Sequence, residues 1–265
     1  MSVLSFINWA ANPEIMPIGP LSLRWYGLLF ALGFVVGYQI MVWIFNNEKK
    51  NIKDLEALTI SMILGTVLGA RLGHCLFYEP AYYLANPLEI LKVWQGGLAS
   101  HGATIGIVIA LFIFVKKKKG FTMLWTLDRI ALVTALAGAF IRIGNFFNSE
   151  ILGSPADLPW AVVFQRVDMI PRHPAQLYEA MSYLIIFAIL FIIYNRKRAQ
   201  TPQGLLIGIF FATVFGARFV IEFFKEVQTG WELGLPLHMG QLLSLPLVLA
   251  GLWLIYKSLM PIKKA

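Results

Sequence analysis

The sequence contains few charged residues and a single cysteine. Of its 265 residues, 14% are charged and 58% are hydrophobic, with a mean hydropathy of +0.70. Soluble domains carry about 25% charged residues, so the deficit predicts an integral membrane protein. Because Cys75 is alone, no disulfide can form within the chain. There is also no serine-hydrolase elbow, Walker-type loop or zinc-ligand spacing, which disfavours hydrolase, ATP-driven and zinc-dependent functions.

Long apolar runs are abundant, and they predict an all-α protein, a bundle of seven transmembrane helices. Each run is close to the ~20 residues that a helix needs to cross the hydrocarbon core. The predicted spans are residues 21–45, 55–78, 97–115, 121–142, 175–194, 203–224 and 239–257. The runs are continuous rather than alternating, which favours helices over a β-barrel. The length predicts one domain over residues 1–265, and the first 17 residues lack the basic region of a cleavable signal peptide.

Basic residues are distributed unequally between the connections. They cluster after the first, third, fifth and seventh spans, at residues 49–53, 116–119, 196–198 and 257–264. The positive-inside rule therefore predicts that these segments are cytoplasmic, that the N-terminus is outside and that the C-terminus is cytoplasmic. This bias accounts for most of the net charge of +8 without a nucleic-acid partner. The outer connections, 79–96 and 143–174, are longer and are predicted to form small structured elements.

Ionisable side chains at membrane depth are the candidate functional residues. Each costs roughly 2.5–3.5 kcal/mol on insertion scales, so its retention suggests a role. The set comprises Arg71, His101, Arg142, Glu150, Arg218 and Glu222. Arg218 and Glu222 are four residues apart and share one helix face. They form either a packing pair or part of a site; buried pairs stabilise poorly, which favours the site.

The stretch "IRIGNFFNSEILG", residues 141–153, concentrates these groups. If it is helical, Arg142, Asn145 and Ser149 share a face. A guanidinium and carboxamides bind phosphate oxygens well, so the arginines suit an anionic lipid headgroup. Two alternatives are a small anion or lipid transporter and a non-catalytic lipid-binding protein. Transporter sites usually lie at mid-membrane in broken helices, whereas these polar groups cluster toward one side.

The same stretch strongly resembles the Arg-x-Gly-Asn-Phe-x-Asn-x-Glu-x-x-Gly motif of the prolipoprotein diacylglyceryl transferase family. Further segments resemble that family in the same order: LSLRWYGLLFALGF, ARLGHCLFYEP, GGLASHGATIGI, IPRHPAQLYEA and GARFVIEFFK. The resemblance covers nearly the whole chain. It departs at Ala103, where family members often have glycine, and at Val214, where many have tyrosine.

The resemblance implies a transferase of the bacterial cytoplasmic (inner) membrane. Its substrates would be phosphatidylglycerol and a preprolipoprotein, whose lipobox cysteine receives the diacylglyceryl group. The products would be a thioether and glycerol 1-phosphate, with no metal or other cofactor. Because the reacting thiol belongs to the substrate, the poorly placed Cys75 is consistent with this reaction.

This reaction suggests roles for the polar residues of the spans. Arg142 and Arg218 are predicted to stabilise the charge that grows on the departing phosphate. His101 is the residue best suited by its ordinary pKa to accept the thiol proton. Glu222 is predicted to orient Arg218 or to assist the proton transfer.

The remaining candidates are predicted to bind the lipid. Asn145 is expected to donate to the headgroup, with Tyr26 beside it. Glu150 is expected to steady Arg142, and Arg71 to add a further cation for the anionic headgroup. Gly153 is predicted to be required by the backbone, because glycine allows conformations and approaches that other residues do not.

Overall fold

The computed structural model describes residues 6–18, 21–92, 97, 99–227 and 237–260, and most of them are helical. The helices are α1 (Trp25–Asn47), α2 (Ile52–Phe77), α3 (Pro80–Ala85), α4 (Ser100–Lys117), α5 (Met123–Asn148), α6 (Ala175–Lys197), α7 (Leu205–Ile221) and α8 (Met239–Leu259). Short strands accompany them: β1 (Ile7–Trp9), β2 (Glu14–Ile18), β3 (Leu21–Arg24), β4 (Val162–Phe164) and β5 (Pro171–Arg172).

The predicted spans coincide with long helices. Six helices in the described part of the chain are long and apolar enough to cross a membrane. Large apolar side chains are exposed on them, such as Leu64 at 52% and Leu249 at 65%, as expected of surfaces that face lipid. The span predicted at 97–115 corresponds to α4. The chain is therefore an α-helical, multi-pass membrane protein.

The largest difference from the predicted bounds is at α5. The predicted span ended at residue 142, whereas the helix continues to Asn148. The polar residues of its last two turns do not end the helix, because other side chains form hydrogen bonds with their polar groups. Asn145, for example, is 5% exposed and donates a hydrogen bond to Glu150.

Contacts divide the chain into two compact units, Met1–Met41 with Leu127–Ala265, and Val42–Thr126. Within the second unit, α2 and α4 approach so closely that a Cβ atom on Gly73 would lie 2.6 Å from Gly102 Cα. Small residues at the contact allow the two helix backbones to approach in this way. Gly204 has a different role, because it precedes α7 with a φ of 91° and so adopts a left-handed turn.

The connection 143–174 is structured, as predicted. Its strand β4 pairs in parallel with β1 and antiparallel with β5, while β2 and β3 form a separate antiparallel hairpin. Phe146 packs against buried Val162 and Phe164, which ties the sheet to the end of α5. The connection 79–96 contains α3 and a 3-10 turn at Pro87–Leu91, and its residues 93–96 lie outside the described residues.

Candidate active site

Arg142 lies near the end of α5 and pairs with a buried carboxylate of α6. Its Nε atom is 2.8 Å from Oε2 of Glu179. The contact is an ion pair without a well-aligned hydrogen bond, because Oε2 has no hydrogen-bond partner of good geometry among the described residues. Glu179 is fully buried, whereas the Arg142 side chain is 14% exposed. The guanidinium is therefore anchored on a buried carboxylate and remains partly accessible.

The second oxygen of Glu179 binds another cation. Lys225 Nζ lies 2.9 Å from Glu179 Oε1 and 3.1 Å from Glu222 Oε2. Charges thus alternate along the series Arg142, Glu179, Lys225 and Glu222. Buried ions are tolerated when each is paired, and Glu179 supplies that pairing for two cations.

Arg218 and Glu222 adopt a different arrangement from a simple helical pair. Helix α7 ends at Ile221, and Glu222 begins a 3-10 turn. Its carboxylate contacts Lys225 and also the start of α8, where a Cβ atom on Gly240 would lie 2.5 Å from the Glu222 carboxyl carbon. The helix dipole at that end favours a negative charge. The role of Glu222 in orienting Arg218 stays a prediction.

Arg218 carries the least restrained positive charge of this group. Its side chain makes no hydrogen bond or ion pair with another residue of the described chain. It lies close enough to Tyr183 to act electrostatically on that hydroxyl, as Arg142 and Glu179 also do. The cluster therefore combines one anchored guanidinium with a second that has no carboxylate partner among the described residues.

At the end of α5, a hydrogen bond to Glu150 fixes the side chain of Asn145. Asn145 Nδ2 donates to Glu150 Oε2 at 3.3 Å, and its Oδ1 lies 3.5 Å from Arg142 Nη1. Asn148 Nδ2 donates to the other carboxylate oxygen at 3.0 Å. Glu150 thus binds the carboxamides of Asn145 and Asn148 directly, and among the described residues it forms no hydrogen bond or ion pair with Arg142. The ion-pair partner of Arg142 is Glu179, which the sequence interpretation did not include.

The backbone on both sides of Glu150 is left-handed. Ser149 has a φ of 55° and Ile151 a φ of 56°. Such a conformation costs on the order of 1–3 kcal/mol for a residue other than glycine, and it is a clear outlier for β-branched isoleucine. Gln176 Nε2 helps to fix it by donating to the Glu150 carbonyl at 2.6 Å. This strained turn directs the carboxylate of Glu150 back toward Asn145 and Asn148.

Gly153 lies where three segments meet. It forms an antiparallel bridge with Lys225, and a Cβ atom there would lie 2.8 Å from the Phe224 carbonyl oxygen and 2.7 Å from His173 Cβ. This crowding supports the predicted backbone requirement. Arg172 closes the same connection, with Nη2 2.7 Å from Asp168 and Nη1 3.0 Å from Glu226. The hydrogen bond from Arg172 holds the pKa of the Asp168 carboxyl below its ordinary value.

Tyr26 packs against α5 at Gly144, the residue before Asn145. A Cβ atom on Gly144 would lie 2.8 Å from Tyr26 Cδ2 and 3.1 Å from Tyr26 Cα, so only glycine permits this approach of α1 to α5. Tyr26 is half-buried. The predicted role of Tyr26 beside Asn145 in lipid binding stays a prediction.

Arg71 belongs to the unit Val42–Thr126 and is bound by backbone carbonyls. It donates to Ile90 at 2.9 Å and to Glu89 at 2.6 Å, and its guanidinium lies 5.0 Å from the ring centre of Tyr83. The side chain is buried, with 3% of the residue exposed. These contacts fix the connection after α3, and the role of Arg71 in lipid binding stays a prediction.

His101 is in the same unit, on the first turn of α4. The residue is exposed, and it makes no hydrogen bond with another residue that the structure describes. Both ring nitrogens are therefore available to a substrate. Its predicted role as proton acceptor stays a prediction.

Sequence reasoning missed several buried polar residues of the site and of the opposite end of α5. They are Gln176, Glu179, Lys225, Asp128 and Arg129. Glu179, Asp128 and Arg129 lie inside predicted spans, so the criterion that selected Arg142 would also have selected them. Lys225 follows its predicted span by one residue, so a search restricted to the spans does not include it.

The fold and the cluster define a multi-pass membrane protein with partly accessible arginines beside buried carboxylates, an arrangement suited to an anionic group. The family model for prolipoprotein diacylglyceryl transferase matches residues 13–257. The chain therefore belongs to the prolipoprotein diacylglyceryl transferase family.

Similar proteins cover almost the full length. The chain is 48% identical to the phosphatidylglycerol–prolipoprotein diacylglyceryl transferase of Chloroherpeton thalassium, over 97% of this chain and 96% of the relative. Identity to the protein of the same name from Tolumonas auensis is 49%, over 94% and 96%. The Bacteroides fragilis protein of that name is 40% identical, over 96% of each chain. All three relatives are transferases by name.

Proposed function

We propose that this chain transfers the diacylglyceryl group of phosphatidylglycerol to the lipobox cysteine of a preprolipoprotein. The observation that carries the proposal is the pair of arginines, Arg142 anchored on Glu179 and Arg218 without a carboxylate partner among the described residues. Family membership and the names of the relatives support the choice of substrates.

The charge of the cluster suits a phosphodiester. Arg142, Arg218 and Lys225 face two carboxylates, Glu179 and Glu222, so one positive charge is in excess. Phosphatidylglycerol carries one negative charge, on its phosphate. Binding it neutralises the cluster, and Arg142 and Arg218 offer planar donors that fit phosphate oxygens.

The reaction requires a thiolate and a stabilised leaving group. His101 accepts the proton of the lipobox thiol, since a thiol has a reference pKa of about 8.5 and the thiolate is the nucleophile. The sulfur attacks the glyceryl carbon, a C–S bond forms, and the C–O bond to phosphate breaks. The electron pair stays on the phosphate oxygen, and Arg142 and Arg218 stabilise that charge. Glycerol 1-phosphate leaves.

The other predicted residues hold the lipid in this scheme. Asn145, fixed by Glu150, donates to the headgroup, and Tyr26 contacts it from α1. Gly153 keeps the connection after α5 close to Lys225. Arg71 adds a positive charge from α2, and Glu222 acts through Lys225 or Arg218.

The chain spans the bacterial inner membrane seven times in this scheme, with the N-terminus outside and the C-terminus in the cytoplasm. The basic clusters after alternate spans support this orientation. Reporter fusions at 116–119 and 196–198 should give cytoplasmic signals, and fusions within 143–174 an outside signal. An outside signal at 116–119 would reverse the proposed orientation.

The test is an assay of the purified protein with phosphatidylglycerol and a lipobox peptide. We expect release of glycerol 1-phosphate and a matching mass increase of the peptide. A peptide with serine in place of its cysteine is the control and should release none. A transporter would instead move lipid or anion between leaflets without modifying the peptide, and that result would contradict the proposal.

A further inference from the structure

A polar cavity of about 390 Å³ lies beside the end of α5. Its lining comes from the hairpin β2–β3, the end of α5 and the loop after β4, and includes Asn12, Glu14, Arg24, Asn148, Glu150 and Arg166. All of these residues belong to one compact unit. Charged and carboxamide groups at the wall exclude an acyl chain and favour a small polar ligand.

Most of the ionisable groups in this wall already have partners. Glu14 accepts hydrogen bonds from Arg24 at 2.9 Å and from Ser22 at 3.1 Å, and these bonds hold the pKa of its carboxyl below the ordinary value. Glu150 accepts hydrogen bonds from Asn148 and Asn145. Arg24 and Glu14 therefore form a neutral pair, and Glu150 is held by carboxamides.

Arg166 is the exception. It is exposed, and it makes no hydrogen bond or ion pair with another residue in the part of the chain that the structure describes; the only electrostatic interaction of its side chain there is a longer-range attraction to the Glu14 carboxylate. Its guanidinium offers a planar fork for an anion. Across the cavity, the Glu150 carboxylate and the Asn12 and Asn148 carboxamides are groups that bind hydroxyls.

We infer that this cavity is a second binding site, which takes a glycerol phosphate group, with the phosphate on Arg166 and the hydroxyls on Glu150 and Asn148. The inference rests on the proposed function, because that reaction handles this group as lipid headgroup and as product. Glu150 connects the two sites, since the same carboxylate holds Asn145. A volume of about 390 Å³ is near the lower end of ligand sites, which suits this group and not a two-chain lipid.

A binding measurement tests whether the cavity takes glycerol phosphate, independently of the transfer reaction. Titration of glycerol 1-phosphate into the purified Arg142→Ala protein, followed by calorimetry, should still show binding. Adding Arg166→Ala should weaken that binding about tenfold, the usual scale for a charge-assisted hydrogen bond at a partly exposed site. Adding Arg196→Ala, which removes an exposed arginine in the last turn of α6, is the matched control and should leave it unchanged. Equal affinities in the three proteins would overturn the inference, whatever the transfer assay shows.

The kinetic constants of the single variant Arg166→Ala show whether the cavity binds the released product or the headgroup of the intact lipid. If the cavity holds released product, the inhibition constant of glycerol 1-phosphate rises more than the KM for phosphatidylglycerol. If it holds the headgroup of the intact lipid, the KM rises more. Inorganic phosphate, which lacks the hydroxyls, should inhibit more weakly than glycerol 1-phosphate in the wild type. Unchanged constants in Arg166→Ala would contradict both versions.

Discussion

The two ends of α5 both bury charged side chains, and they do so in opposite ways. Near the start of the helix, Asp128 accepts backbone hydrogen bonds from Gly204 at 2.7 Å and from Ile207 at 2.9 Å. Asp128 and Arg129 are 0% exposed, and the Arg129 guanidinium lies 5.8 Å from the ring centre of Tyr194. Both carboxylate oxygens of Asp128 are used to fix the first turn of α7.

Near the other end, Glu179 is fully buried, but the two arginines keep part of their surface exposed. Arg142 is held by Glu179 and keeps part of its surface exposed, and Arg218 has no ion pair with any described residue. Burial is common to both ends, so it does not distinguish them. The difference is that hydrogen-bond donors remain available on Arg142 and Arg218, and this is why we propose that the site lies at their end of α5.

Arg142→Ala should have the largest effect on transfer. Removing a donor aimed at developing charge costs about 10²–10³ in turnover, and Arg142 also attracts the ground-state phosphate. Arg142→Lys should rescue poorly, because an ammonium cannot make the planar two-point contact. The measurement is glycerol 1-phosphate release at saturating peptide, with Arg196→Ala as the exposed control. Wild-type turnover in Arg142→Lys would show that charge alone matters.

Glu179→Gln should reduce transfer less than Arg142→Ala, by roughly ten- to a hundredfold. The substitution keeps the shape of the side chain and removes the charge that Arg142 and Lys225 share, so both cations lose their orientation. We expect the KM for phosphatidylglycerol and kcat both to change, because the guanidinium moves in the free enzyme.

The neighbouring cation provides the control for Glu179. Lys225→Arg preserves the charge and should retain most of the activity, whereas Lys225→Met should resemble Glu179→Gln. If Glu179→Gln lowered thermal stability while folded protein kept its kinetic constants, the carboxylate would belong with Asp128 as a structural group.

The sequence was sufficient to predict the long helices, because each is marked by a continuous run of apolar residues. Twenty-residue apolar runs predicted each long helix, and single arginines inside or at the end of them made Arg142 and Arg218 candidate site residues. The short strands were not predicted, since Ile7 acquires its strand conformation by pairing with Val162, which is distant in the chain. Three-residue strands have no periodicity long enough to recognise.

The partners within the site were harder to predict than its members. The spacing of Arg218 and Glu222 suggested a pair on one helix face. The Glu222 N–H does bond to the Arg218 carbonyl, but the Glu222 carboxylate forms its ion pair with Lys225. Glu179 pairs with Arg142 because α6 approaches α5, which one sequence cannot show. The carboxylate itself was detectable, as an acidic residue inside an apolar run.

Asp128→Ala tests the closed end of α5 through stability. It leaves backbone donors of α7 without an acceptor, and hydrogen bonds to a charged group contribute about 1.5–3 kcal/mol each. We expect a loss of about 3 kcal/mol in unfolding free energy, with unchanged kinetic constants in the protein that stays folded. Thermal denaturation in detergent and the transfer assay measure the two quantities. A selective fall in kcat at normal stability would place this end in the mechanism.

The smallest expected effect concerns a partly buried ion pair, the one between Arg172 and Asp168 in the connection after α5. The hydrogen bond from Arg172 lowers the pKa of Asp168, so the stabilisation is fully present above the ordinary carboxyl pKa of about 3.9 and is lost as pH falls through the lower, folded value. The window therefore lies below about pH 4. Amide exchange at Ala156 and His173, whose N–H groups bond within this connection, should quicken there relative to intrinsic rates. Asp168→Asn should show no such step, and the same step in that variant would contradict its assignment to Asp168.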